Sequence, residues 1–288
     1  MSNTVVVFGS LHYDITVQTQ AWPQQGETAV GQSWAPKLGG KGRNQAVAAA
    51  RAGASVAMIG AIGDDQFGAA LRADLDGRRI DHSRLRVIAG AGSGMSVALS
   101  DKTGDYRAVI VSGSNLALGA ADVPDASFWS DTRVLILQNE VPDPANTLAA
   151  GAARASGSLV ILNAAPARPL SADLAAQVDL LVVNAGEAAT LAGSPEPGTL
   201  NEAKSAALLL ARSFPQVIVT AGAAGLVFAA GDETLLIAAE PVAVISTHGA
   251  GDAFVGTLAA ALAGGVAMGT ALSRANHAAA VLVSGQAH

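Results

Sequence analysis

The sequence predicts an α/β fold in which a mainly parallel central sheet is covered by helices on both faces and carries a small β lid. Three observations predict it. Short, continuously apolar runs recur at 5–8, 56–62, 134–137, 159–162, 180–183 and 217–220, and strands that are apolar throughout belong in a sheet buried on both faces. Alanine-rich, helix-compatible segments stand between them, at 44–52, 67–75, 145–155 and 202–212, which is the alternation of parallel βα units. Two stretches are too polar for such a sheet. Residues 28–37 are short and mixed, and residues 94–113 alternate in character around a turn at 101–104, as a hairpin does. Both read as lid strands, closing over a site at the carboxyl edge of the main sheet. The lid spans about 11–38 and 92–113, and the whole chain, 1–288, reads as one domain with no internal repeat and no dividing linker.

Composition sets outer limits. With 288 residues, 50% hydrophobic and 14% charged, the chain can bury one large core. A net charge of −6 opposes a basic nucleic-acid surface. The absence of cysteine excludes disulfides and thiolate metal sites and fits a reducing compartment. The start, Met1-Ser2-Asn3-Thr4, lacks the pattern of a signal peptide, so a cytoplasmic location is expected. Residues 253–273 carry no charge, but Gly264-Gly265 divides them. Two buried helices joined by a glycine turn are therefore expected, not a membrane span.

The most informative stretch is Ser246-Thr247-His248-Gly249-Ala250-Gly251-Asp252-Ala253-Phe254. A β-branched run at 242–245 leads into small residues that open onto a helix, with Asp252 in its first turn. Exposed N–H groups at a helix start hold anions, and small residues let a phosphate approach the main chain. A carboxylate there repels a phosphate unless its task is to take a proton from a hydroxyl attacking it. That combination implies a kinase for a small hydroxylated molecule. A second cluster, Gly39-Gly40-Lys41-Gly42-Arg43-Asn44-Gln45, precedes the helix over 44–52. It is not a P-loop, because no Ser or Thr follows Lys41 and position 35 is Ala. Asp14 and Glu140 each stand a few residues past a strand, where carboxylates gather at one sheet edge and can accept sugar hydroxyls.

These segments resemble the PfkB family of ribokinase-like carbohydrate kinases over nearly the whole chain. The sugar-side signature is carried by Gly9-Ser10 through Asp14, Gly26-Glu27-Thr28, the cluster from Gly39 to Ala48, and Ile59 through Gly68. The nucleotide-side signature is carried by Asn184-Ala185-Gly186-Glu187, Val219-Thr220-Ala221-Gly222 with Gly225, and His248 to Phe254. The resemblance implies a three-layer sandwich and ATP-dependent phosphorylation of a sugar hydroxyl. Asp252 resembles the family's general base, and Gly249, Ala250 and Gly251 its anion hole. The resemblance assigns the sugar to His12, Asp14, Gly40, Lys41, Asn44 and Glu140, with Ser96 and Ala98 closing from the lid. It assigns ATP to Asn184, Glu187, Thr220, Gly222, Gly225 and Asn276, with Glu187 reaching Mg²⁺ through water. A homodimer through the lid is implied as well.

Three departures from the family pattern bear on specificity. His12 stands where ribokinases usually carry Asn, and its bulkier ring changes which sugar fits. Arg43 stands where the usual residue is small. Directed into the pocket, it would suit a carboxylate, sulfonate or phosphate on the substrate; directed outward, it carries no such meaning. Ser246 replaces the Asp of the monovalent-cation loop, and the chain stops at His288, where relatives complete that ion site. Little dependence on K⁺ is therefore expected. Two other readings stand beside the kinase. A dinucleotide dehydrogenase is opposed by the first strand's turn, Phe8-Gly9-Ser10-Leu11-His12, which lacks Gly-x-Gly-x-x-Gly. A silent sugar-binding relative is opposed by the intact run from Gly249 to Asp252. Within the kinases, fructose-type sugars, sugar acids and nucleosides remain open.

Overall fold

Alternation of apolar strands and alanine-rich helices builds a nine-stranded sheet in the computed structural model, which describes residues 4–20, 22–101 and 106–286. The strands in chain order are β1 (Val5–Phe8), β2 (His12–Thr19), β3 (Gly31–Gly39), β4 (Val56–Gly63), β5 (Asp81–Ile88), β6 (Met95–Ser100), β7 (Tyr106–Val111), β8 (Val134–Gln138) and β9 (Leu159–Asn163). They continue with β10 (Leu180–Asn184), β11 (Gln216–Thr220), β12 (Leu226–Ala230) and β13 (Glu233–Ile237). The helices are α1 (Lys41–Arg51), α2 (Gln66–Gly77), α3 (Ala126–Trp129), α4 (Asp143–Ala155), α5 (Ala172–Ala175), α6 (Ala185–Ala192), α7 (Leu200–Leu210), α8 (Ala250–Ala263) and α9 (Met268–Val283).

The large sheet runs β13-β12-β11-β10-β9-β8-β1-β4-β5. It is parallel from β5 to β11, and β12 enters antiparallel between β11 and β13. The six apolar runs became β1, β4 and β8 to β11. Alternate side chains leave each strand on opposite faces. Val6, Phe8, Leu135 and Leu137 therefore join one buried cluster with α4 and α7, while Val5, Val7, Val134 and Ile136 join a second with α1, α8 and α9. Residues 253–273 split at Gly264 into α8 and α9, as the glycine pair predicts. Among the described residues, no helix is long and apolar enough to cross a membrane.

The small sheet is β3-β2-β6-β7. It is mixed: β2 pairs antiparallel with β3 but parallel with β6, and β6 pairs antiparallel with β7. From residue 102 onward, the turn expected at 101–104 lies outside the described residues. Both edge strands expose apolar side chains, Trp34 at 67%, Val109 at 70% and Ile110 at 59%. The β-branched run at 242–245 forms no strand; it is irregular and exposed, tied through Ile245 N–H to the carbonyl of Val283 at 2.8 Å.

Close approach of α1 to α8 positions the site, and glycine permits it. A Cβ on Gly256 of α8 would lie 2.4 Å from the Gln45 carbonyl oxygen and 2.5 Å from Ala48 Cβ. The neighbours there are helix backbone and a methyl group, which cannot swing aside.

Candidate active site

Asp252 is 8% exposed and lies in the first turn of α8. Gly249, the residue before that helix, has φ of 85°, a left-handed conformation that favours glycine. Gly251 and Asp252 follow in the first turn, where N–H groups have no helical carbonyl four residues back. Each oxygen of the Asp252 carboxylate accepts one amide hydrogen bond from α1. Asn44 Nδ2 donates to Oδ2 at 3.1 Å, and Gln45 Nε2 donates to Oδ1 at 2.9 Å. Burial pushes the carboxyl above the usual aspartate range. The Lys41 charge and the two amides oppose that rise, and the Glu140 charge adds to it. The result is a carboxylate oriented by neutral donors, whose proton affinity stays high.

A second carboxylate ties three elements together. Glu140 Oε2 accepts from Lys41 N–H at 2.9 Å and from the Ser10 hydroxyl, whose oxygen in turn accepts from Gly42 N–H at 3.2 Å. The loop after β1, the start of α1 and the end of β8 thus meet at one point. In the small sheet, the Ser96 hydroxyl of β6 donates to Asp14 Oδ1 of β2. The main-chain N–H and C=O of Leu11 are both held by the buried Asn115 side chain, at 3.0 and 2.9 Å. His12 is buried, and its Nε2 has no hydrogen-bond partner. Ala98 sits on β6, between Thr16 and Ala108 in register.

On the opposite half, Asn184 and Glu187 form a reciprocal capping box at the start of α6. Asn184 Oδ1 accepts from Glu187 N–H at 2.8 Å, and Asn184 N–H donates to Glu187 Oε2 at 2.9 Å. Capping accounts for their spacing but not for their surroundings. Burial raises the Glu187 carboxyl above its usual range, opposed by the Asn184 hydrogen bonds and the charge of Lys41. A carboxylate from α6 thus shares a field with the start of α1. Thr220 ends β11, with Gly222 and Gly225 in the turn beyond it. Asn276 of α9 donates to the Ala238 carbonyl at 3.0 Å, which anchors the segment after β13. Ser246 is exposed, and its hydroxyl accepts from His248 N–H at 3.3 Å.

Arg43 takes neither orientation weighed from sequence. It is buried, its Nη2 lies 2.6 Å from Asp74 Oδ2, and its Nη1 donates to Leu38 O at 3.2 Å and Asn44 Oδ1 at 3.1 Å. The guanidinium is consumed inside the fold and is not offered to an anionic substrate. His82 and His277 make exposed pairs with Asp76 and Glu240. Sequence reasoning quoted Gln45 and Ser10 within its motifs without assigning either a role and passed over Asn115; their partners lie far along the chain. His248 also gained no role there, although desolvation and then the Lys37 charge hold its ring below the usual histidine range.

No cluster of three metal-ligating side chains occurs among the described residues. Comparison with known proteins gives this arrangement its context. Residues 2–287 match the model of the pfkB family carbohydrate kinases. Ribokinase of Bacillus subtilis is 34% identical over 281 residues, spanning 97% of this chain and 92% of that protein. Ribokinase of Mus musculus is 35% identical over 288 residues, spanning 97% and 88%. The structure of Arabidopsis thaliana ribokinase complexed with ribose and ATP aligns with a TM-score of 0.90 at 28% identity, covering 98% of this chain and 93% of that one. The chain belongs to the pfkB family of carbohydrate kinases.

Proposed function

We propose that Asp252 is the general base of an ATP-dependent sugar kinase whose acceptor is ribose or a related small sugar. The observation that carries this is a buried carboxylate, held by neutral amides, in the first turn of a helix entered through Gly249-Ala250-Gly251. Family membership gives the reaction class: the γ-phosphoryl of ATP passes to a sugar hydroxyl. Asp252 accepts the hydroxyl proton as the oxygen forms its bond to phosphorus and the bond to the leaving ADP oxygen breaks. First-turn N–H groups of α8 receive the charge on the transferring phosphoryl oxygens. Asp14, Gly40, Lys41, Asn44 and Glu140 hold the sugar, with His12, Ser96 and Ala98 bounding the pocket. Asn184, Glu187, Thr220, Gly222, Gly225 and Asn276 line the path of the nucleotide. Glu187 is the residue that would hold, through water, a Mg²⁺ carried by the phosphates. When bound, that ion would supply charge neutralisation to the phosphates.

Ribose is the acceptor favoured by the two ribokinases and the ribose-bound structure above. His12 is this chain's own element in that pocket. The exposed apolar edges of the small sheet suit a homodimer formed through the lid, and the composition suits a cytoplasmic enzyme. The deciding assay is ADP release from MgATP across ribose, deoxyribose, fructose, sugar acids and nucleosides, beside Asp252→Asn. Sugar-dependent release is expected, falling about 10²- to 10⁴-fold in the variant. Sugar-independent release, or full activity in Asp252→Asn, contradicts the reading.

A further inference from the structure

The Asn44 and Gln45 amides each have a second contact, and the two contacts are equivalent. On one side, Arg43 Nη1 donates to Asn44 Oδ1 at 3.1 Å, and Asn44 Nδ2 donates to Asp252 Oδ2 at 3.1 Å. On the other, Gln138 Nε2 donates to Gln45 Oε1 at 2.8 Å, and Gln45 Nε2 donates to Asp252 Oδ1 at 2.9 Å. Chemistry fixes these orientations. A guanidinium has donors alone, so Asn44 turns its oxygen to Arg43 and its NH₂ to Asp252. A carboxylate has acceptors alone, so Gln45 turns its NH₂ to Asp252 and its oxygen to Gln138. Both outer anchors are buried. Asp74, which also pairs with Arg78, grips Arg43 through Nε and Nη2. Gln138 is fully buried at the end of β8, and its backbone carbonyl accepts from Asn146 Nδ2 at 2.8 Å. Its side-chain Nε2 is spent on Gln45, and its side-chain oxygen has no hydrogen-bond partner. Gln45 Nε2 also lies 3.0 Å from Asn163 Oδ1 on β9.

We infer that these two arms form a clamp that orients the Asp252 carboxylate for proton abstraction, with Gln45, Gln138 and Arg43 as positioning residues. The inference rests on Asp252 being the base. It gives Arg43, which departs from the small residue expected at its position, a role distant from the substrate. A carboxylate rotating about its own bond presents the wrong lone pair, and misplacement by about 1 Å can cost about 10²-fold in rate. Two donors at once stop that rotation without the neutralising charge a lysine or arginine would bring.

The groups able to confound a pH test are few. β1 and β8, both packed on α8, contain no titratable side chain. α1 presents Lys41 toward Asp252, Glu140 follows β8, and Arg43 is held by Asp74. On α9, Arg274 is exposed and His277 is paired with Glu240. His248, ahead of α8 and lining the same cavity as Asp252, titrates on the acid side and is separated by following the limb in His248→Gln as well.

The test is the pH dependence of kcat and KM in Gln45→Met and Gln45→Glu, beside the wild type and Asp252→Asn. Gln45→Met removes one donor at nearly constant volume. Its kcat is expected to fall about 10- to 100-fold, with the sugar KM unchanged and the acid limb of kcat moved to higher pH. Gln45→Glu keeps the volume and the acceptor for Gln138 but sets a second carboxyl against Asp252. Like charges raise the affinity for a shared proton, so its acid limb moves higher still. Should Gln45→Met fail to fold, the limb in Gln45→Glu decides alone. An unmoved acid limb in a folded Gln45 variant, or wild-type kcat, overturns the clamp. Retained activity in Asp252→Asn breaks the assignment of the base instead, whatever the Gln45 variants do.

Discussion

The seam between α1 and α8 and the four-stranded sheet carry opposite kinds of surface. At the seam, Asp252 is 8% exposed and has both oxygens bonded, and Gly256 leaves no room for even a methyl group. The small sheet leaves Trp34 67% and Val109 70% exposed on its two edge strands. One region has both oxygens of its buried carboxylate bonded before any substrate arrives. The other has apolar surface still to cover. The difference separates the two tasks of a kinase for small alcohols. Proton abstraction and charge stabilisation need fixed geometry, whereas enclosing the sugar and excluding water need an element able to close.

Crowding the seam gives the largest effect. Gly256→Ala places a methyl 2.4 Å from the Gln45 carbonyl, so α1 must move away. Overpacking of this kind costs about 1–3 kcal/mol of stability, and kcat falls more than the sugar KM rises. Denaturation and steady-state kinetics check both, and an unchanged kcat in the folded variant would break the distinction between the regions. Next comes the sheet. Replacing Trp34 and Val109 together with Ser should lower the solution mass from dimer toward monomer and leave the Asp252-dependent acid limb in place. A wild-type protein already monomeric at micromolar concentration contradicts the lid interface. Smallest is the ion effect. With Ser246 in place of a carboxylate at an exposed loop, K⁺ should change kcat by less than several-fold against a choline salt. A larger activation overturns the expectation, because hard cations need several oxygen ligands.

The sequence made the rigid region more legible than the edges of the molecule. β1, β4 and β8 to β11 are buried on both faces, so they read as unbroken apolar runs. β5, with the sequence DHSRLRVI, is an edge strand whose first four residues are all polar, and periodicity passed it over. β13, with the sequence ETLLI, is an antiparallel edge strand that mixes residue types and is largely exposed. β12, LVFAA, is by contrast apolar and mostly buried and was passed over without a local reason. Asp252 stood out because its meaning is local: a glycine loop, a helix start and one acid. Gln45 did not, because its partner lies 207 residues away and a buried amide leaves no local signature. The same holds for Ser10 with Glu140, 130 residues apart. Arg43 required a partner, Asp74, from a different helix before its direction was defined.

The central claim is that the catalytic seam is built in the free protein while the small sheet completes itself on the substrate. Amide hydrogen exchange, with and without a sugar that supports turnover, tests it most directly. The account predicts that α1 and α8 are equally protected in both states, while β3, β6 and β7 gain protection when sugar binds. A seam that exchanges freely until sugar arrives, beside an unchanged small sheet, would contradict it.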